Sequence, residues 1–142
     1  MTINTGNGAL TYNGDGTWNY TPASDDDTDV SFNYTITDGA DIVAGTATLD
    51  ITPINDVPTS TPITLAAIAE DSGARLITQT ELLGNANDIE GDALTATGLT
   101  INTGNGALTD NGDGTWNYTP ASDDDTDVSF TYTITDLSLI HI

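Results

Sequence analysis

The chain contains no cysteine and no lysine, and its basic side chains are limited to Arg75 and His141. The absence of cysteine excludes disulfide bonds, and a single histidine cannot supply the usual ligand set of Zn²⁺ or copper. A catalytic nucleophile of cysteine or lysine is excluded too, and no serine lies in a nucleophile-elbow pattern. No apolar run approaches the length that crosses a membrane.

Acidic residues are present in large excess. There are 22 Asp and Glu residues against one Arg, which gives a formal net charge of −21 at pH 7. This charge excludes a nucleic-acid partner, because nothing could neutralise phosphates, and it disfavours contact with anionic membranes. In the compact state the carboxylates repel one another unless cations bind among them. Two explanations therefore stay open: bound cations, or a solvated acidic surface suited to high salt.

One long stretch of the chain occurs twice. Residues 2–38 recur as residues 100–136, at an offset of 98 residues. Near-identical copies at a fixed offset indicate a tandem array, and a period of this size fits one small β domain. Only two positions differ between the copies, which are Tyr12 against Asp110 and Asn33 against Thr131.

The repeat also predicts how the chain is divided. We expect residues 1–56 to be the C-terminal part of a first repeat, and residues 57–136 to be a second repeat that lacks its last strand. Met1 stands where the second copy has Leu99, so the first repeat is expected to start in its middle. The final residues 137–142, LSLIHI, break the pattern. They match one reading frame of a common transposon-end sequencing adapter, so we expect a non-native tail that includes His141.

Short alternating segments separated by turn residues predict an all-β chain. Asn13-Gly14-Asp15-Gly16 supplies the positive φ angles of a tight hairpin turn, and its copy begins at Asn111. Residues 30–37 alternate strictly, so Val30, Phe32, Tyr34 and Ile36 are expected to face the core. This pattern is typical of an antiparallel β-sandwich of the immunoglobulin type. Further elements are predicted at 46–51, 63–68, 75–77 and 94–101, with one helical turn after a capping box at Thr78–Glu81.

Three kinds of acidic segment are candidates for metal binding. Carboxylates that stand side by side in a loop repel one another, and Ca²⁺ relieves that repulsion by taking six to eight oxygen ligands. For each segment alone, a solvated turn is the competing interpretation. A hairpin turn fully explains the acidic residues between Asn111 and Gly114. The candidate ligands are Asp25, Asp26 and Asp27, their copies Asp123, Asp124 and Asp125, the pair Asn55 and Asp56, and the trio Asp88, Glu90 and Asp92.

The sequence resembles the cadherin-like repeats of very large bacterial surface proteins, including the extender repeats of calcium-dependent, toxin-repeat-type (RTX) adhesins. The resemblance rests on GALTDNGDGTWNYTP (106–120), VSFTYTITD (128–136), INDVP (54–58) and NDIEGDALT (87–95). It covers nearly everything except residues 137–142. The chain is also similar, more distantly, to cadherins themselves, whose calcium motifs converge between successive modules.

The resemblance implies a ligand for each of those motifs. Glu70 is placed like the glutamate near the end of the first cadherin strand. The motif from Asp88 to Gly91 is placed like the D-x-D-x-G loop, with Glu90 where Asp is expected. Asp25–Asp27 and Asp123–Asp125 are placed like the D-R-E loop. Asn55-Asp56 matches the linker, although Val57 replaces its second asparagine. One junction would combine Asp25–27, Asn55, Asp56, Asp88, Glu90 and Asp92, and the following junction would use Glu70, Asp71 and Asp123–125.

The function that this resemblance implies is structural. Calcium between tandem sandwiches would stiffen an extender that holds a distal adhesive domain away from a bacterial surface. The expected location is extracellular, the expected partners are neighbouring repeats, and a glycan or protein of a host or biofilm would be contacted through other domains. The alternative is a carbohydrate- or protein-binding module, whose stacking platforms would be Trp18, Tyr20, Trp116 and Tyr118 if these were exposed. An enzyme is not expected, since paired carboxylates occur only in loops with no evident cleft.

Overall fold

The computed structural model describes residues 1–137, and its regular secondary structure is almost entirely antiparallel β-strand, which confirms the predicted all-β class. Of the predicted tail, all residues except Leu137 lie outside the described range. The chain divides into two compact units, unit 1 (Met1–Ile54) and unit 2 (Asn55–Ile142). No helix among the described residues is long and apolar enough to cross a membrane.

Unit 1 contains a three-stranded sheet and a separate hairpin. The strands are β1 (Thr2–Thr5), β2 (Ala9–Tyr12), β3 (Trp18–Thr21), β4 (Val30–Thr37) and β5 (Ile42–Leu49). The sheet has the order β1-β4-β5, and β2 pairs with β3 in register from Ala9 opposite Thr21 to Tyr12 opposite Trp18. This hairpin confirms the turn predicted from Asn-Gly and Asp-Gly.

The core of unit 1 is small. Val30 and Phe32 are buried as predicted, and Tyr34 is half-buried. Ile36 was expected in the core, but it is 52% exposed, because alternation selects a face of the strand and only a covering layer can bury that face. The strand predicted at 46–51 runs instead from Ile42 to Leu49, since it pairs with all of β4.

Unit 2 contains more elements and a larger core. The elements are β6 (Thr59–Ser60), β7 (Arg75–Ile77), α1 (Gln79–Leu82), β8 (Ala86–Asn87), β9 (Leu94–Thr103), β10 (Ala107–Asp110), β11 (Trp116–Thr119) and β12 (Ser129–Asp136). The sheets have the orders β10-β11-β7, β12-β9 and β6-β8. Six residues form the buried cluster, which are Ile77, Leu82, Ala96, Leu99, Trp116 and Tyr118.

The strand predicted at 63–68 is wrong. The structure has no regular element there, although Ile63 and Leu65 pack against the core. Alternation in this segment therefore reflects alternate packing of side chains onto the core without a hydrogen-bonded ladder. The only pairing near this segment is at Thr59 and Ser60, opposite Asn87 and Ala86.

The short helix α1 begins as its sequence predicts. Thr78 and Glu81 form a complete capping box, with each side chain bonded to the other residue's backbone. The Glu81 carboxylate also pairs with Arg75 at 2.7 Å. The Gln79 side chain bonds both the N–H and the carbonyl of Ala96, each at 2.8 Å, and so joins α1 to β9. The chain's one arginine is thus used inside unit 2 and does not offset the acidic loops.

Candidate functional site

We give the name linker cluster to Asn55, Asp56, Asp88, Glu90 and Asp136, which lie on three segments of unit 2 that two hydrogen bonds join. The Asn55 amide donates a hydrogen bond to the Asp136 carboxylate at 2.8 Å. The backbone N–H of Asp56 donates to the Glu90 carboxylate at 3.2 Å. Pairing of β12 with β9 brings Asp136 next to the start of β9, just after the acidic loop. The fold thus brings the predicted linker and loop residues together.

The Asp88 carboxylate has one oxygen that is satisfied by a hydrogen bond and one that is not. Its Oδ1 accepts a hydrogen bond from the backbone N–H of Asp92 at 3.0 Å. Its Oδ2 is buried and has no hydrogen-bond partner within residues 1–137. A buried polar atom without a partner costs about 1–3 kcal/mol, and more when it carries charge. An external donor or cation at Oδ2 would remove this cost.

The surroundings of Glu90 shift the pKa of its carboxyl group. Desolvation raises the pKa of Glu90 above its ordinary value, and the nearby Asp56 carboxylate raises it further. The hydrogen bond from the Asp56 backbone N–H opposes the shift but does not cancel it. The folded chain therefore favours the charged form of Glu90 less than a free glutamate side chain would. A cation in the linker cluster would reverse this preference.

The donors of the linker cluster fit a hard cation. They are carboxylates and one side-chain amide, which are oxygen ligands of the kind that Ca²⁺ prefers. The orphaned Asp88 Oδ2 supports that fit. In residues 1–137, however, no three acidic side chains are grouped closely enough to hold an ion together. Binding therefore requires some of these side chains to turn towards the cation.

A second acidic grouping, the loop cluster, consists of Asp71, Asp123 and Asp124 in unit 2. The Asp71 carboxylate accepts a hydrogen bond from the backbone N–H of Asp123 at 3.0 Å. Asp71 and Asp123 both adopt left-handed backbone conformations, with φ of 55° and 54°. Asp tolerates this region better than most residues. The fold thus joins two of the segments assigned to the same junction from the sequence.

Asp124 shapes its loop. Its carboxylate accepts hydrogen bonds from the Thr126 backbone N–H at 2.9 Å and from the Asn105 side-chain amide at 2.7 Å. Hydrogen bonds from Thr126 and Asn105 hold the pKa of Asp124 below its ordinary value. Both oxygens of this predicted ligand therefore serve an internal turn, which leaves less capacity for a metal ion.

Unit 1 repeats the same loop. The Asp26 carboxylate accepts from the Thr28 backbone N–H at 2.8 Å and from the Asn7 amide, and Asp25 has a φ of 55°. Hydrogen bonds from Thr28 and Asn7 lower the pKa of Asp26. The recurrence shows that the sequence of the loop is sufficient to specify its conformation, because the two units differ in what surrounds it.

Two further acids of unit 1 stand close together. Hydrogen bonding with Asp29 and repulsion from its charge raise the pKa of Asp50. Asp29 also accepts a hydrogen bond from the backbone N–H of Ile51 at 3.4 Å. Neither acid was predicted as a ligand. The pair shows that carboxylates crowd together at the end of β5.

The remaining predicted ligands take no part in these groupings through their side chains. Asp27, Glu70 and Asp125 are exposed, and Asp92 is half-buried and donates only its backbone N–H to Asp88. The assignment of Asp25–Asp27 to a junction with the linker cluster stays a prediction.

Two residues that bond to the predicted acids were not predicted from the sequence. Asp136 is the last residue of the Y-x-I-x-D pattern, and Asp38 is its equivalent in the first copy. This recurrence could have identified Asp136 from the sequence. Asn105 and its equivalent Asn7 precede a glycine and read as turn residues. Their bonds to acids 19 residues away depend on tertiary structure that no local pattern reveals.

The aromatic residues of unit 2 are packed inside. Trp116 is 3% exposed, and the Tyr118 ring packs edge-on against Phe130 at 5.4 Å. They cannot serve as stacking platforms for a sugar.

Asp113 in the hairpin turn accepts hydrogen bonds from the N–H and hydroxyl of Thr115 at 3.1 and 2.6 Å, which supports a turn rather than a metal site there.

A shallow groove of about 210 Å³ lies beside the buried Trp116. Gln79 and Asp110 line it together with small residues, and Asp110 is its single ionisable side chain. A general acid and base pair needs two titratable groups within reach of one substrate. This groove does not provide such a pair.

Comparison with known families supplies one match. Residues 1–52 and 54–140 each match the family model described as a cadherin-like domain. No curated protein and no solved structure matches the chain.

Proposed function

Since the chain belongs to the cadherin-like domain family, we propose that it is a structural extender repeat of a large bacterial cell-surface adhesin. In this proposal Ca²⁺ binds among the acidic loops at the boundaries of successive repeats and stiffens the array. The bacterial adhesin, the calcium and the extracellular location are parts of the proposal. The all-β repeats and their family membership support it.

The buried, unpartnered Oδ2 of Asp88 carries the calcium proposal. Asp88, Glu90, Asp56, Asn55 and the newly recognised Asp136 would hold the ion from within unit 2, and the predicted contribution of Asp25–Asp27 would come from the preceding repeat. Ca²⁺ would supply positive charge where carboxylates otherwise repel one another. Sites of this kind in extracellular modules bind weakly, with Kd on the order of 10⁻⁴–10⁻³ M.

A second set of ligands would serve the next boundary along the array. The Asp71–Asp123 hydrogen bond supports the assignment of Glu70, Asp71 and Asp123–Asp125 to one site, because it joins the two segments that carry these residues. The role of Asp124 in that site is to fix the loop, since both its oxygens already accept internal hydrogen bonds. Neighbouring repeats are therefore the proposed partners.

A structural role fits these residues better than catalysis. Repeats with nearly the same sequence would each carry the same site, which suits a spacer more than an enzyme. The charge of −21 argues against nucleic acid as a partner, because the chain has almost no basic side chain to neutralise phosphates. The ligand of the adhesin would be bound by other domains.

Thermal unfolding of this chain in chelator, in 10 mM Ca²⁺ and in 10 mM Mg²⁺ tests the proposal. With the expected Kd, mass action adds about 1.4–2.7 kcal/mol, which corresponds to a rise in Tm of at least about 5 °C in Ca²⁺. Mg²⁺ should raise Tm much less, because it demands a tighter octahedral shell. An equal response to both ions would show diffuse screening of the acidic surface and would overturn the calcium site.

One observation favours the binding-module alternative. In unit 1, Tyr12 and Trp18 are both exposed, and their rings lie 5.0 Å apart. Such a pair offers a surface for stacking of a sugar ring. Isothermal titration with oligosaccharides checks this alternative, with Trp18→Ala as the control. Saturable heat that the substitution abolishes would support it.

A further inference from the structure

Asparagine is followed directly by glycine at four places in the chain. Two of these places, residues 7–8 and 105–106, we call the loop pairs, and the other two, residues 13–14 and 111–112, we call the hairpin pairs. In an Asn-Gly pair the glycine nitrogen can attack the side-chain amide of the asparagine, because glycine has no Cβ to hinder the approach. The attack needs both groups in one geometry, so the fold decides how fast each pair reacts.

The loop pairs are firmly held. In the second copy, the Asn105 amide donates a hydrogen bond to the Asp124 carboxylate at 2.7 Å. A Cβ added to Gly106 would lie 2.7 Å from the Thr119 carbonyl oxygen, so the backbone there has little room to turn. The first copy has the equivalent contacts. Both loop pairs are therefore expected to react slowly.

The hairpin pairs are exposed, and their asparagine side chains have the same surroundings. A Cβ added to the glycine of either pair would contact nothing within 4 Å. The Asn13 side-chain oxygen accepts a hydrogen bond from the Asn19 amide at 3.3 Å. The equivalent bond from Asn117 to Asn111 is 3.1 Å long. A donor at this oxygen polarises the carbonyl group that is attacked, and it does so in both copies.

The attacking nitrogen differs between the two hairpin pairs. In the second copy, the Gly112 N–H donates a hydrogen bond to the Asp110 carboxylate at 2.8 Å. Position 110 is one of the two at which the copies differ, and the first copy has Tyr12 there. The Tyr12 hydroxyl accepts a hydrogen bond from the Gly16 N–H at 3.3 Å. Tyr12 has no carboxylate to offer the Gly14 N–H.

We propose that Asn13 is a site of spontaneous deamidation and that Asp110 protects its counterpart, Asn111. The glycine nitrogen must lose its proton to attack, and a neighbouring carboxylate disfavours this loss because negative charge then develops beside it. The hydrogen bond to Asp110 must also break before the nitrogen can turn towards the amide. The loss of one such bond at an exposed turn slows the reaction about fivefold.

The reaction needs only water. The Gly14 nitrogen gives its proton to solvent and bonds to Cγ of Asn13, while the Cγ–Nδ2 bond breaks and ammonia leaves with a proton from solvent. Water then opens the cyclic succinimide at either of its two carbonyl groups, which gives aspartate or isoaspartate without oxidation or reduction. Either product lacks the amide that now donates to the Thr17 hydroxyl at 2.9 Å. Isoaspartate also lengthens the backbone of the turn between β2 and β3, so the turn loosens as the protein ages.

Incubation of the folded chain with chelator at pH 8, followed by mass spectrometry, tests the proposal. Trypsin cuts after Arg75, the chain's one arginine, and so separates the two copies into different fragments, in which each converted asparagine is then located. Asn13 should react at least about five times faster than Asn111, and faster than either loop pair. Asp110→Tyr gives the second hairpin the local sequence of the first and should raise the rate at Asn111 at least about threefold. Tyr12→Asp should lower the rate at Asn13 by a similar factor.

The same incubation in 8 M urea measures the effect of the neighbouring residue alone, since urea removes the fold. There the ratio of the rates at Asn13 and Asn111 should fall below about two. The natural chain and the two variants give separate readouts, so poor folding of one variant, seen by circular dichroism, does not decide the result. No step involves calcium, so the outcome is independent of the proposed calcium site. Equal rates at both residues in the folded chain, a faster reaction at Asn111, or a ratio that urea leaves unchanged would overturn the proposal.

Discussion

The Asp71 carboxylate accepts a hydrogen bond at 3.0 Å from the backbone N–H of Asp123, a residue 52 positions further along the chain. Both residues are held near φ = +55°. A left-handed Asp stores conformational strain, and this hydrogen bond is one of the contacts that stabilises it. The bond therefore contributes to folding in the absence of a metal ion, in addition to its proposed place in a calcium site.

Substitution of Asp71 separates these contributions. In chelator, Asp71→Ala should lower the free energy of unfolding by about 1 kcal/mol, because it removes the acceptor and disfavours the left-handed conformation. Asp71→Asn keeps an acceptor oxygen and tolerates that conformation, so its effect in chelator should be small. Urea unfolding followed by circular dichroism measures both. If the two variants lose equal stability, charge and not the hydrogen bond is responsible.

Asp88→Asn tests the linker cluster. In Ca²⁺ it should remove more than half of the rise in Tm that the natural chain shows, because the unpartnered Oδ2 is lost as an anionic ligand. In chelator the Tm should stay equal or rise, because a buried charge without a partner is removed. Calorimetry in both buffers gives the two values. Asp113→Asn, in the hairpin turn, is the matched control and should leave the calcium response unchanged. If Asp88→Asn lowers the Tm by a similar amount in both buffers, Asp88 stabilises the fold and does not bind the ion.

Glu90→Gln should stabilise the chain in chelator at pH 7. The pKa of Glu90 is higher in the folded state than in the unfolded state. The contribution of Glu90 to folding stability is therefore present in full at acid pH, and it is lost as the pH rises through the folded pKa. At pH 7 the ionised Glu90 is a net cost. The increase in Tm should shrink as the pH falls towards 3.5, where the natural side chain is protonated. Calorimetric scans across that range check the trend, and an increase that does not change with pH would contradict it.

Asp124→Asn should behave in the opposite way. Hydrogen bonds from Thr126 and Asn105 lower the pKa of Asp124 in the folded state. Its contribution is therefore present above the unfolded pKa, close to 3.9, and is lost as pH falls through the lower folded value. The variant should be less stable than the natural chain at pH 7 and should approach it below about pH 3. A loss of stability that persists at pH 2.5 would indicate that Asp124 acts through packing.

The two tryptophans provide a comparison within one chain. Trp116 is 3% exposed and Trp18, its counterpart in the repeat, is 38% exposed. Trp116→Ala should lower the unfolding free energy of unit 2 by about 3–5 kcal/mol, as expected for loss of a buried aromatic side chain. Trp18→Ala should cost unit 1 less, about 1 kcal/mol, because more of the Trp18 side chain is already in water than of Trp116. Denaturant unfolding measures both, and equal costs would contradict the difference in burial.

The sequence was sufficient wherever the determining interaction is local. Asn-Gly and Asp-Gly specified both hairpins, and the capping box at Thr78 specified α1, since each acts within about four residues. The all-β class followed from strand alternation and the turn residues.

Interactions across the chain could not be read in this way. The sequence did not reveal that Ile36 lacks a covering layer, or that Ile63 and Leu65 pack without forming a ladder. The bonds of Asn55 to Asp136 and of Asp71 to Asp123 join residues 81 and 52 positions apart, so they depend on the completed fold. The acidic clusters were nevertheless identified, because their charge density is visible without any geometry.

The different environments of the two tryptophans also make the chain its own optical probe. Trp18 lies partly in water and should emit at longer wavelength, whereas the enclosed Trp116 should emit at shorter wavelength. Because each unit contains exactly one tryptophan, the emission spectrum reports on the two units separately and needs no attached dye. A titration in which one unit becomes ordered before the other would then give two separate shifts of the emission spectrum rather than one.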